Sequence, residues 1–114
     1  MPQEPLQIED ITPAPGQRIL RLAGPILLSN FFALQTMVRT DASSSLILDM
    51  MAVPYIDSAG IGALVGAYVT RQKEGRRLAL AGVTERVRNA MHVTRVEQFF
   101  AFFETVEAAQ SSAA

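Results

Sequence analysis

Leu46-Ile47-Leu48-Asp49-Met50-Met51-Ala52-Val53-Pro54-Tyr55-Ile56-Asp57-Ser58-Ala59-Gly60-Ile61-Gly62 is the stretch from which the rest of the chain is read. Its first five residues form a nearly continuous apolar run, the pattern of a strand covered on both faces, so they mark a central strand. Pro54 interrupts after Val53, and Tyr55-Ile56-Asp57-Ser58 lead into a helix predicted from about Ala59 to Glu74, with Gly75 placed to cap its C-terminus. A hydroxyl at such a junction sits beside backbone N–H groups that have no intrahelical partner, at the positive end of the helix dipole. Ser58 is therefore a candidate phosphoacceptor, and the small Ala59 and Gly60 leave it open to an enzyme. The plainer alternative is that Asp57 or Ser58 only caps the helix, a role worth about 1 kcal/mol.

Toward the N-terminus, Leu6 to Ile11 alternates apolar and polar residues and Arg18 to Leu22 nearly does. With Pro13-Ala14-Pro15-Gly16 between them they predict a β-hairpin. Gly24-Pro25 ends the second strand, and Ser29-Asn30 is expected to cap a helix whose apolar positions Phe31, Leu34, Met37 and Val38 recur at spacings of three and four. Toward the C-terminus, Leu78 to Ala81 reads as a short buried strand, and Thr84 as the cap of a helix from Glu85 to His92. A last strand is expected over Val96 to Phe100 and a terminal helix over Phe102 to Ala109. The alternation of strands and helices predicts an α/β fold: one domain over residues 1–114, with a mixed four- to five-stranded sheet and about four helices mainly on one face. Loose ends are expected at residues 1–5 and 110–114.

Composition narrows the function classes. Of 114 residues, 49% are hydrophobic and 18% charged, the balance of a packed globular chain. A net charge of -1 gives no overall attraction to nucleic acid or an anionic membrane. Seven of the ten basic residues fall between Arg71 and Arg95, which predicts a solvated basic side rather than a nucleic-acid surface. The absence of cysteine excludes disulfides and thiolate metal sites and suits a reducing cytoplasm. No signal-peptide pattern is visible at Met1-Pro2-Gln3-Glu4, and the uncharged run Ser58 to Thr70 is too short, at thirteen residues, to cross a bilayer, which takes about 20.

Other candidate chemistry is weak. Gly60, Gly62 and Gly66 have the spacing G-x-G-x-x-x-G, not the dinucleotide fingerprint, and the strand ending Ala81-Gly82 lacks the acidic residue that would hold a ribose. His92 is the only histidine, so a histidine metal cluster is excluded, and no acid, base and nucleophile set is evident. The expectation is a non-enzyme with no cofactor. The Phe99-Phe100 and Phe102-Phe103 pairs read as packing residues. On the second helix, Ile61, Leu64, Val65 and Tyr68 make a core-facing stripe, whereas Gly62, Ala63, Gly66, Ala67 and Thr70 are small and uncharged, to be covered by another element or by a partner.

The stretch from Leu46-Ile47-Leu48-Asp49 through Asp57-Ser58-Ala59-Gly60-Ile61-Gly62 resembles the signature of the STAS domain, found in sulfate transporters and anti-sigma factor antagonists. Gly16 to Gly24 is similar to the family's second strand, Asn30 onward to its first helix, and Arg76 to Arg95 to its xLxLxGVxxxVxxxMxxTxV region, with Met91 and Thr94 in place; the resemblance runs from about residue 6 to 108. It implies that Ser58 is phosphorylated by an ATP-binding serine kinase that is also the anti-sigma factor, that the unmodified form binds this kinase and frees a sigma factor, and that a serine phosphatase resets the switch. It further implies a partner-binding surface from Asp57, Ser58, Ala59, Gly60, Gly62, Ala63 and Gly66. Phosphate would add roughly −1.5 to −2 charges to that surface. The chain departs from the family where many antagonists have Gly-Glu-Leu-Asp after the second strand: here the residues are Gly24-Pro25-Ile26-Leu27, and a partner contact through that carboxylate is absent. The second reading is a STAS scaffold or ligand-binding subunit of a signalling or lipid-transport assembly, with Ser58 only a helix cap.

Overall fold

The computed structural model describes residues 5–112. A tight turn at Pro15-Gly16, where Gly16 takes a φ of +80° open to glycine at no steric penalty, folds Gln7–Ala14 (β1) antiparallel onto Gln17–Ala23 (β2). Every later strand adds in parallel: Ser45–Ala52 (β3), Arg77–Ala81 (β4) and Ala101–Phe103 (β5), giving one sheet in the order β1-β2-β3-β4-β5. Parallel neighbours cannot be joined by a hairpin. Phe32–Thr40 (α1), Ser58–Lys73 (α2) and Glu85–Val93 (α3) supply the crossovers, and Val106–Ser111 (α4) follows β5.

Side chains alternate across each strand, so one sheet builds two cores. Leu20, Leu22, Leu46, Leu48, Met50, Leu78 and Leu80 meet Leu34 and Val38 of α1, Ile61 and Leu64 of α2 and Val87 and Met91 of α3. Ile19, Ile47, Ala79 and Ala81 face the other way and meet Ala109 of α4. Three helices thus lie on one face and one on the other, as the expected fold class has it. Each fully buried leucine contributes roughly 1.5–3 kcal/mol relative to exposure.

Three local readings change. Asn30 does not cap α1; the residue before the helix is Phe31, with no side-chain cap, while Asn30 Oδ1 accepts from the Leu27 N–H at 2.9 Å and its Nδ2 donates to the Pro25 carbonyl at 2.9 Å. The asparagine closes the loop between β2 and α1 instead, the local bonding this residue type offers as an alternative to capping. The last strand is not Val96–Phe100: Glu97–Phe99 form a short 3₁₀ turn and β5 begins at Ala101. Phe102 and Phe103 belong to β5, not to the terminal helix, because they point to opposite faces, Phe102 to the three-helix core and Phe103 to the α4 core. α4 then starts at Val106, with the Thr105 hydroxyl accepting from the Ala108 N–H, and runs to Ser111. Of the expected loose ends, residues 1–4 and 113–114 lie outside the described residues.

A further correction concerns Arg71, read as part of a solvated basic surface. It is 1% exposed in the last turn of α2. Its Nη1 donates to Asp41 Oδ2 at 2.6 Å, its Nη2 to the Ser43 carbonyl at 2.9 Å and its Nε to the Arg77 carbonyl at 3.0 Å. Arg18 of β2 donates to the other Asp41 oxygen at 3.1 Å. The network joins the ends of α1 and α2 to the starts of β3 and β4. Burial pushes the Asp41 carboxyl up, but hydrogen bonds from Ser43, Arg18 and Arg71 outweigh it and hold the group below the usual carboxylate range. A depressed carboxyl stabilises the fold above its unfolded pKa of about 4, and that contribution disappears as pH falls through the folded value. Asp41→Asn is therefore expected to cost about 3–5 kcal/mol at pH 7, the penalty for breaking a buried ion pair from one side. In urea melts, the gap between wild type and variant should narrow as pH drops below about 4; a gap independent of pH would contradict the assignment.

Candidate functional site

The β3–α2 junction is built by close approach to the loop after β2. Ile26 and Ile56 form a short parallel bridge, with the Ile26 N–H donating to the Tyr55 carbonyl and the Asp57 N–H donating to the Ile26 carbonyl, both at 3.2 Å. Asp57 is the N-cap of α2: its Oδ1 accepts from the Gly60 N–H at 2.8 Å, and its Oδ2 accepts from the Leu28 N–H at 3.0 Å. One carboxylate thus satisfies a free donor of the helix and ties down the neighbouring loop.

Ser58, the first residue of α2, is exposed, and its hydroxyl makes no hydrogen bond with another described residue. The two roles left open for Asp57 and Ser58 are therefore divided. Asp57 caps, and the serine oxygen faces solvent next to the positive end of the helix dipole. An anion there gains typically 0.3–1 kcal/mol.

The residues expected beside Ser58 on one docking surface separate in space. Ser58, Gly62 and Gly66, four residues apart, lie on the exposed side of α2, and Ala59 is half-buried. Gly60 and Ala63 are buried, so they add little to an exposed docking face. Ala63 lines a shallow groove of about 120 Å³ between α1 and α2, together with Gln35, Val38, Gly66, Ala67 and Thr70, so part of the small-residue face is covered by α1.

Gly60 has a packing role that the sequence reading missed. A Cβ added there would lie 2.3 Å from the Ile26 carbonyl oxygen and 2.6 Å from Ile56 Cγ1. Nothing lies within 4 Å of the corresponding atom at Gly62 or Gly66. The only signal in the sequence is a glycine three residues after a capping aspartate. The loop after β2, with Leu28 64% exposed and Phe32 63% exposed at the start of α1, was also missed as part of the site.

An open mixed sheet, parallel crossovers stacked on one face and a helix start clamped to a neighbouring loop define a class of small α/β domain. The chain belongs to the STAS domain family, whose model matches residues 7–109. The fold is similar to that of an anti-sigma factor antagonist from Mycobacterium paratuberculosis, with a TM-score of 0.80 and 19% identity over 94% of this chain and 92% of that one. It is also similar to the Bacillus cell fate determinant SpoIIAA in its phosphorylated form, with a TM-score of 0.72 and 15% identity over 95% of this chain and 100% of that one. A sulfate transporter family protein from Wolinella succinogenes has the same fold, with a TM-score of 0.71 and 24% identity over 84% of this chain and 83% of that one. Among the described residues no helix is long and apolar enough to cross a membrane.

The glycines give opposite expectations. Gly60→Ala should destabilise the protein by about 1–3 kcal/mol, because the added methyl meets backbone. Gly62→Ala and Gly66→Ala should each stabilise it by roughly 0.5–1 kcal/mol, because an exposed helix interior favours alanine. Urea denaturation of the three variants measures this; a stabilising Gly60→Ala would refute the close approach.

Proposed function

We propose that this chain is an anti-sigma factor antagonist, a binding switch without catalytic activity of its own, whose state is set by phosphate on Ser58. The observation that carries this reading is the exposed Ser58 hydroxyl at the start of α2, relieved of capping by Asp57. An ATP-binding serine kinase, which is also the anti-sigma factor, docks the unmodified form and is thereby withdrawn from its sigma factor. Transfer forms a bond between the serine oxygen and the γ-phosphorus of ATP, breaks the bond from that phosphorus to the β–γ bridging oxygen, and releases ADP and the hydroxyl proton. The product carries roughly −1.5 to −2 charges in the docking face. Because the helix start favours that charge, the fold persists while the interface is lost. A serine phosphatase restores the hydroxyl, and the whole cycle runs in the cytoplasm.

A second reading, a STAS scaffold in a larger assembly, draws on the similarity to a sulfate transporter family protein. Ser58→Asp separates the two: under the switch it abolishes kinase binding with the melting temperature little changed, and under the scaffold it leaves the complex intact. Mass spectrometry after incubation with the cognate kinase and MgATP should find one phosphoryl group, on Ser58. Modification at another residue, or none, would overturn the proposal.

A further inference from the structure

No residue between Arg21 and Arg39 is charged, and between Asp49 and Arg71 only Asp57 is. The fold lays these two runs side by side. α1 and α2 begin together where Asp57 holds the Leu28 N–H and end together where Arg71 meets Asp41, so they run in the same direction with their charge-free stretches in register. The single charge within the two runs, Asp57, spends both carboxylate oxygens on backbone N–H groups of the chain itself, while from outside them the Arg86 guanidinium of α3 lies 4.9 Å from the centre of the Tyr55 ring. Ser58 thus opens onto a face to which neither run contributes a free ionised group until Arg39, about two turns along α1 from Phe32.

Two large apolar side chains stand out from this face. Leu28 is 64% and Phe32 63% exposed. Neither position is slack: the Leu28 backbone is bonded to Asp57, and the Phe32 ring is stacked at 4.6 Å on Phe31, which packs against the core. On the exposed side of α2, Gly62 and Gly66 add no side chain, and nothing lies within 4 Å of where one would begin. Scattered exposed hydrophobics need no explanation, but a charge-depleted surface with a projecting aromatic matches the core of a protein interface.

We infer that Leu28 and Phe32 are apolar anchors for the kinase that modifies Ser58, and that this kinase presents an uncharged, apolar surface in return. The inference rests on the reading of Ser58 as phosphoacceptor, since an enzyme reaching that hydroxyl must cover its surroundings. A second copy of the chain is the wrong occupant, because a permanent dimer on this face would close Ser58 to any enzyme. The manner of release follows. A phosphate brought into this face meets no countercharge from either run, so the modified form is excluded chiefly by the desolvation of its charge. Binding driven in this way is nearly indifferent to salt, unlike binding steered by charge pairs.

The test is isothermal titration of the full chain with the kinase loaded with a non-hydrolysable ATP analogue, at about 0.05 M and 0.5 M NaCl. Wild type should change affinity by less than about threefold between the two salts, and Leu28→Glu/Phe32→Glu should lose about 100-fold or more while keeping the wild-type circular dichroism and melting temperature. Full binding by the double variant, or affinity that collapses in high salt, overturns the inference; if Ser58→Asp still abolishes binding in that case, the switch itself stands. Loss of binding in the double variant with no phosphate ever found on Ser58 overturns the switch and leaves the docking face in place. Absence of any binding between wild type and the kinase overturns both. Sedimentation of the free chain gives an independent check: a monomer is expected, and a dimer dissociated by Leu28→Glu would assign the face to a second copy instead.

Discussion

The carboxylate of Asp57 is the constraint from which the site follows. Its two oxygens hold backbone groups from two separate segments, the Leu28 N–H of the loop after β2, 29 residues before Asp57, and the Gly60 N–H of the first turn of α2, three residues after it. Bonds to a charged acceptor are among the stronger ones a protein makes, and each here also satisfies a backbone donor. The approach they enforce is so close that residue 60 has no room for a side chain. By taking the capping position, Asp57 also leaves the neighbouring serine oxygen without a structural task. Rigidity of the helix start and availability of the hydroxyl have the same cause.

The opposite end of the same two helices is held by a different device. Arg71 and Asp41 form a buried ion pair, extended by Arg18 and by the carbonyls of Ser43 and Arg77. Such a pair is expensive to desolvate, and its net contribution to stability is small when every lone pair is satisfied. Its geometric effect is larger. It sets the ends of α1 and α2 level with each other, so the clamp at Asp57 and the pair at Arg71 together determine which side of α1 faces α2. The charge-free face around Ser58 results from that alignment.

The features legible in the chain were those governed by local order. The apolar run over β3, the alternation in β1 and β2, the Thr84 cap of α3 and the glycine after α2 each depend on neighbours a few residues away, and each appears in the structure close to where it was expected. The region from Phe99 to Phe103 was not legible, because four phenylalanines around one alanine satisfy helix and strand periodicity about equally over so short a span. Pairing with β4 decides between them by sending Phe102 and Phe103 to opposite faces. Asn30 was misplaced for a similar reason: its side chain serves a loop or a helix start equally well until the loop's path is known. Of the candidate site, Ser58, Asp57 and the open glycines at 62 and 66 could be read directly, whereas the burial of Gly60 and Ala63 could not.

By itself the sequence determined an α/β domain with a serine opening its second helix, since hydrophobic period, turn residues and caps act through short-range sterics and hydrogen bonding. Only the tertiary structure decided which of two adjacent polar residues caps that helix and which is left free. It also decided that Arg71 is buried, and that two runs whose only charged residue is Asp57 lie side by side. Those outcomes depend on contacts between segments some thirty residues apart, and such contacts exist only once the sheet has set its register.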